Sequence, residues 1–289
     1  MTLDLASVLA QWAVGGLAFL WVTTRRREVS LGYGWLLRGV FGGLAVLAVL
    51  AQLRSDGSGL AAAVFVAGTG AAALGAAVAL AVSVHRKAAG VSGRAEQAAR
   101  RRARVAAMVD AEPAPATDAA PPRAGAEFPP ALDLVAPVVG AVGLLGAAGT
   151  VGGSYWLAAA RLLVGAAFLG VVTDAMLLGH WYLTQPGLSR DPLVELVRDA
   201  MVIWPFEVLV LVLPPGMISV VAGTVDDGYG GLLGWMWVVC AATTLGLLVA
   251  TAFALRERYY SAVMAATGLL YLAILTAFGT DLVARALLA

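Results

Sequence analysis

Asp174 and Glu207 are carboxylates set within long apolar runs, and Pro214-Pro215-Gly216 follows the second of them. In a bilayer an ionisable side chain costs about 2.5 to 3.5 kcal/mol on insertion scales, and irregular backbone survives only inside protein or beside water. Such groups persist where they hold a proton, hold a cation, or lock helices together. By span counting, Asp174 falls about six residues, roughly 9 Å, from the end of one helix, and Glu207 five or six residues into the next. Equal depth on antiparallel neighbours predicts that the two face each other and titrate as a coupled unit. The bland alternative pairs each with an arginine or a hydroxyl.

Pro214 and Pro215 remove two backbone donors and free the carbonyls of Val210 and Leu211, one turn from Glu207. A carboxylate beside unwound carbonyls is how transporters build ion sites. A proline kink repaired by Ser219 or Thr244 is the competing expectation. Arg161 enters the same helix as Asp174 from the far end, and Asp281 sits near the close of the last apolar run. Together they suggest a structural ion pair. Thr243, Thr244, Thr267, Tyr271 and Thr276 offer hydroxyls for a polar path or for ordinary interhelical bonds.

His180, Trp181 and Tyr182 form an aromatic rim at a helix end, which reads as an interfacial anchor or as a contact for a quinone headgroup or substrate. His180 and Asp174 fall on different stripes of their helix, which argues against a dyad. His85 is the other histidine, and it precedes Arg86 and Lys87 as an interfacial flank would. Haem ligation by the two histidines is therefore disfavoured, and so is a catalytic metal, since neither has a second ligand at helical spacing. No phosphate-binding glycine loop, zinc-protease motif or Ser-His-Asp arrangement is present, and the expectation is a protein without an enzymatic active site or bound cofactor.

The elements that must position these residues follow from composition. The chain is 61% hydrophobic and 13% charged over 289 residues, against about 25% charged in soluble domains. About 20 apolar residues cross a hydrocarbon core of about 30 Å. That ruler gives an all-α, polytopic transmembrane bundle of about eight spans: Leu5 to Val22, Leu31 to Gln52, Gly59 to Val84, Leu132 to Val151, Trp156 to Gly179, Val202 to Ala222, Gly231 to Leu255 and Tyr259 to Leu287. Arg25-Arg26-Arg27 follows the first run instead of preceding it, the polarity of a signal anchor. With the N-terminus outside, one face of the membrane receives all of the 19 basic residues except Arg38, Arg54, Arg161 and Arg285. The positive-inside rule then puts both termini on the extracytoplasmic side.

Residues 86–130 form the cytoplasmic linker between a three-span part, 1–85, and a five-span part, 131–289. Gly93 to Ala111 reads as a short basic helix near an anionic leaflet or, more blandly, as a topology determinant. Glu112 to Pro122 is a Pro/Ala tract expected to be disordered. Gly39, Gly42 and Gly43, then Gly68, Ala72 and Ala76, then Gly140, Gly143 and Gly146 place small residues on helix faces that permit close backbone approach or a homodimer contact.

Cys240 is the single cysteine, which excludes an intrachain disulfide. One lysine, no asparagine and abundant Ala, Gly and Arg suggest a GC-rich bacterial genome, hence a bacterial cytoplasmic membrane. The expected partners are the lipid bilayer and other membrane proteins, and nucleic acid is excluded because the basic residues track the membrane. Three functions remain: a proton- or cation-coupled transporter component, a membrane subunit of a respiratory or redox assembly with a quinone near His180, and a structural or assembly protein.

Overall fold

A computed structural model describes residues 4–55, 57–89, 94–108, 112, 127–214, 216–257 and 259–288, and every regular element among them is helical. The long helices are α1 (Leu5–Arg25), α2 (Leu31–Arg54), α3 (Leu60–His85), α5 (Val135–Ala148, led in by a 3-10 turn at Pro130–Leu134), α6 (Tyr155–Thr184), α7 (Asp191–Val212), α9 (Leu232–Ala254) and α10 (Tyr260–Leu287). The basic helix α4 (Arg94–Met108) precedes α5, and a single short helix, α8 (Met217–Val221), follows α7. Seven helices among the described residues are long and apolar enough to cross a membrane. The remaining long helix, α7, carries Glu195, Arg198 and Asp199 in its first half, which lowers its hydropathy. The chain is thus a multi-pass helical membrane bundle with one polar-headed span.

Most helix ends fall within a few residues of the sequence expectation, and one span departs from it in a way that matters. The sixth span was expected over Val202 to Ala222, whereas α7 begins at Asp191 and ends at Val212. Ser189-Arg190-Asp191-Pro192 starts it early: Pro192 lies in the first turn, where its fixed φ suits a helix, and Ser189 Oγ donates to Asp191 Oδ2 at 2.8 Å. Pro214 stops it ten residues short of the expected Ala222. The short connections expected between α1 and α2 and between α9 and α10 are where the helices break, after Arg25 and after Ala254. The Pro/Ala tract of the linker, apart from Glu112, lies outside the described residues, as does Pro215.

α1 and α6 are the most buried of the spans and make the centre of the bundle. α1 packs on α2, α5 and α6, while α6 packs on α1, α5, α7 and α10. Their contact is backbone on backbone: a Cβ added at Gly170 would lie 2.1 Å from the carbonyl carbon of Gly15. α3 meets α5 the same way, where a Cβ at Gly68 would fall 2.4 Å from the Gly143 nitrogen. The predicted small-residue faces of α3 and α5 therefore serve packing, whereas Gly39 and Gly43 of α2 have nothing within 4 Å. Large apolar side chains such as Leu53, Leu74, Leu209, Phe253 and Leu275 point outward, as a lipid-facing surface requires.

Polar clasps hold the linker end. Arg38 of α2 and Asp133 ahead of α5 form a buried two-bond ion pair, Nε to Oδ1 at 2.7 Å and Nη2 to Oδ2 at 2.8 Å, with Thr24 donating to the same carboxylate at 2.8 Å. Arg38 also lies over the Phe128 ring at 4.5 Å. Glu195 accepts bonds from Arg25 and Arg26, tying α1 to α7, and that contact raises the Arg26 pKa above its usual value. At the opposite end Asp227 caps α9, accepting from the amides of Tyr229, Gly231 and Leu233 at 2.8 to 2.9 Å. Those donors, the Gly231 amide first, hold its carboxyl below the usual range.

Asp133→Ala strands a buried guanidinium and is expected to destabilise the bundle by about 3 to 5 kcal/mol in reversible micellar unfolding, with Arg38→Leu plus Asp133→Leu recovering most of it. Asp227→Ala is expected to lower the melting temperature at neutral pH. A depressed carboxyl stabilises above its unfolded pKa of about 3.9. The gap between wild type and variant should therefore shrink as pH falls below about 4 and close under the folded pKa.

Candidate functional site

Asp174 and Glu207 do not meet. Because α7 starts early, Glu207 lies roughly 16 residues, about 24 Å, from the linker end of its helix, while Asp174 lies roughly 10 residues, about 15 Å, from that end of α6. Their surroundings differ accordingly. The charged groups within electrostatic range of Glu207 are Asp281, Arg285 and Arg161, and Asp174 is not one of them. Asp174 sits instead beside Tyr33 of α2, whose hydroxyl donates to the Asp174 backbone carbonyl at 3.4 Å. The coupled pair expected from sequence is replaced by two separate carboxylates at two heights.

The site around Glu207 is assembled from four helices near the end of the bundle opposite the linker. α10 supplies Asp281 and Arg285, one turn apart, joined by an ion pair of 2.6 Å between Nε and Oδ2. α1 supplies Ser7 and Gln11, also one turn apart. Arg285 Nη1 reaches Ser7 Oγ at 3.5 Å, and Gln11 Nε2 donates to the Arg161 carbonyl at 3.4 Å. α6 supplies Arg161 and, one turn on, Gly165. A Cβ there would lie 2.2 Å from Gln11 Nε2 and 2.9 Å from Asp281 Oδ1, so the bare glycine is what lets both polar side chains close against α6. α7 supplies Glu207.

Arg161 does not bond Asp281, whose partner is Arg285, so the expected Arg161–Asp281 ion pair is corrected. The reason is the end of α7. Pro214 has no N–H, which frees the Val210 carbonyl, and the helix stops before Leu213 finds a donor. Arg161 donates Nε to Val210 O and Nη2 to Leu213 O, both at 2.9 Å. A cation at a helix C-terminus is also favoured by the negative end of the macrodipole. The carbonyl of Val210, which sequence reasoning offered to a bound cation, is therefore held by a guanidinium. The break at Pro214 is a cap; Pro215 is outside the described residues.

Every member of this cluster is buried, yet it is not fully hydrogen-bonded. Both carboxylate oxygens of Glu207, Asp281 Oδ1, Gln11 Oε1 and Arg285 Nη2 make no hydrogen bond, and Glu207 and Asp281 are 0% exposed. Native structures leave only a few such atoms per hundred residues. Asp174 repeats the pattern alone, 0% exposed with neither oxygen hydrogen-bonded.

His180, Trp181 and Tyr182 diverge. His180 is exposed, with Nδ1 3.0 Å from the Tyr271 hydroxyl; Trp181 packs edge-on against Tyr33 at 5.6 Å; and Tyr182 is buried and donates to Ser189 O at 2.6 Å. Tyr182 ties the end of α6 to the α6–α7 turn, whereas His180 faces α10 and Trp181 faces α2. The threonines mostly bond their own helices, although Thr244 also donates to Thr276 across α9 and α10 at 2.7 Å. Sequence reasoning missed Ser7, Gln11 and Arg285. The signal was present in part, because Asp281 and Arg285 stand at the i, i+4 spacing of a helical ion pair.

No protein-family model, curated protein or solved structure matches the chain. The fold by itself defines the class, a multi-pass helical membrane protein with a buried polar cluster.

Arg161→Met leaves the carbonyls of Val210 and Leu213 without a donor, and a loss of about 1 to 3 kcal/mol for each is expected in thermal or denaturant unfolding. Arg161→Lys should restore part of it.

Proposed function

We propose that the protein is a proton- or cation-coupled transport component of a membrane, and that Glu207, backed by Asp281, is the group that takes up and releases the charge. One observation carries the reading: Glu207 is completely buried, belongs to a four-helix polar cluster, and has no hydrogen bond to either oxygen. Its neighbours explain why that matters. Asp281 is already neutralised by Arg285, and Arg161 is accommodated by two carbonyls and the α7 dipole. Glu207 is thus left without an obligate hydrogen-bonded partner. A buried carboxylate in that position is retained at a cost, and proton relays and ion pathways are among the functions that retain one.

Asp174 adds a second carboxylate, deeper toward the linker end on α6, the helix that also bears Arg161. Arg161 and Asp174 are separated by roughly 13 residues, about 20 Å, of α6. A charge accepted near Glu207 would pass Asp174 on the way to the linker end. The charge asymmetry of the ends supports a linker facing the cytoplasm of a bacterial cell, with the Glu207 cluster toward the outer face.

The test is proton flux into proteoliposomes carrying an internal pH-sensitive dye, driven by an imposed potential. Wild type should acidify the lumen, and Glu207→Gln, which keeps shape and removes the titrating oxygen, should reduce the rate at least tenfold. Asp174→Asn should slow it by less. Undiminished flux in Glu207→Gln would remove the assigned residue, and absence of flux in wild type, with only stability altered by the substitutions, would place the cluster among structural polar networks.

A further inference from the structure

The linker end holds a second site, separate from the Glu207 cluster. Between α4, the α1–α2 turn, the end of α3 and the α6–α7 loop lies an open cavity of about 640 Å³. Its cationic lining is Arg26, Arg27, Lys87, Arg100, Arg101 and Arg104, and Glu28 is the acidic residue among those lining it. Arg26 and Arg27 also contact Glu195 and Glu127, which lie outside the lining. Arg100 has an exposed partner in Glu96 at 3.9 Å, yet Lys87, Arg101 and Arg104 add three more cations to a wall whose acidic residue is Glu28. Mutual repulsion of that kind is relieved by an anionic occupant.

The cavity is built, not incidental to a mobile helix. Arg101 Nε donates to Pro186 O at 2.9 Å. Val105 of α4 closes on Gly187, where φ is +84° and an added Cβ would lie 2.6 Å from Val105 Cγ2. Glycine at 187 serves both the left-handed turn and the close approach of α4. The guanidinium of Arg101 is thereby fixed at the cavity wall, with Arg104 and Arg100 on the same stretch of helix.

We propose that this cavity binds the headgroup of an anionic phospholipid from the membrane the helices span. Three observations favour a lipid over a free anion. The lining is amphiphilic, with Leu31, Trp35, Leu188 and Val29 beside the cations. Leu31 opens α2 and Trp35 lies one turn deeper, where acyl chains begin once a phosphate is seated among the arginines. The volume falls in the range of roughly 300 to 1,000 Å³ that accommodates a ligand of many atoms, more than a bare phosphate needs. Arginine forks match phosphate oxygens two at a time, and basic pockets at the ends of spans are the usual seats of anionic headgroups.

The full chain, purified in neutral detergent and stripped of lipid, would be titrated with phosphatidylglycerol or phosphatidylcholine and the adducts read by native mass spectrometry. Phosphatidylglycerol should bind the more tightly and be released by salt. The triple variant Arg100→Gln, Arg101→Gln, Arg104→Gln should lose about fivefold in affinity per arginine. Arg54→Gln, at the other end of the bundle, should bind as wild type does. Because α4 lies outside the spans, the triple variant keeps the bundle, and the salt titration of wild type gives a reading that depends on no variant. Equal binding of the two lipids, or a phosphatidylglycerol preference that survives the triple substitution, overturns the proposal. Inorganic phosphate bound as tightly as phosphatidylglycerol would assign the cavity to a free anion and overturn the lipid assignment.

Discussion

Where water is scarce, a charge must be answered by something close, and the interior of this bundle is arranged around three arginines answered in three ways. Arg38 takes a carboxylate from another element, Arg285 takes one from its own helix, and Arg161 takes the carbonyls that a terminated helix cannot satisfy. Two of the solutions join helices, and one lies within a single helix. The first binds α2 to the lead-in of α5, the second stiffens the end of α10, and the third fastens α6 to α7. What is left over after these pairings is Glu207 and Asp174, and that remainder is the basis of the functional reading.

The arginines fix partners, while small residues fix distance. Between lipid-exposed helices there is little hydrophobic gain in association, so close van der Waals contact has to supply the attraction. Gly15 against Gly170 and Gly68 against Gly143 bring backbones together at the α1–α6 and α3–α5 crossings. The first crossing sets the height of α1 on α6, and through it the position of Gln11 opposite Gly165. Polar clustering at one end thus depends on glycine packing near the middle.

Most of the architecture could be read from the chain because a bilayer imposes one simple ruler. Apolar runs gave the long helices and the tight turns between them, and only the polar head of α7 defeated the ruler, since Glu195, Arg198 and Asp199 sit where apolar residues were required. That single shift of about a dozen residues moved Glu207 to another level and dissolved the expected pairing with Asp174. Burial of Asp174, Glu207, Arg161 and Asp281 was legible, because position in an apolar run implies it. Their partners were not, because spacing along one helix says nothing about which neighbour faces it. Arg161 illustrates the limit: its carbonyl partners carry no signature in the sequence beyond Pro214 itself.

The cluster around Glu207 draws on α1 and on α10, which lie far apart in the sequence. Ser7 and Gln11 leave the ribosome long before Asp281 and Arg285, and in the interval α1 has two polar side chains with no α10 to receive them. α1 therefore acquires the partners of these side chains only once α6 and α10 are in place. Insertion order thus becomes part of the polar site, with α10 completing surroundings that α1 has offered since its own synthesis.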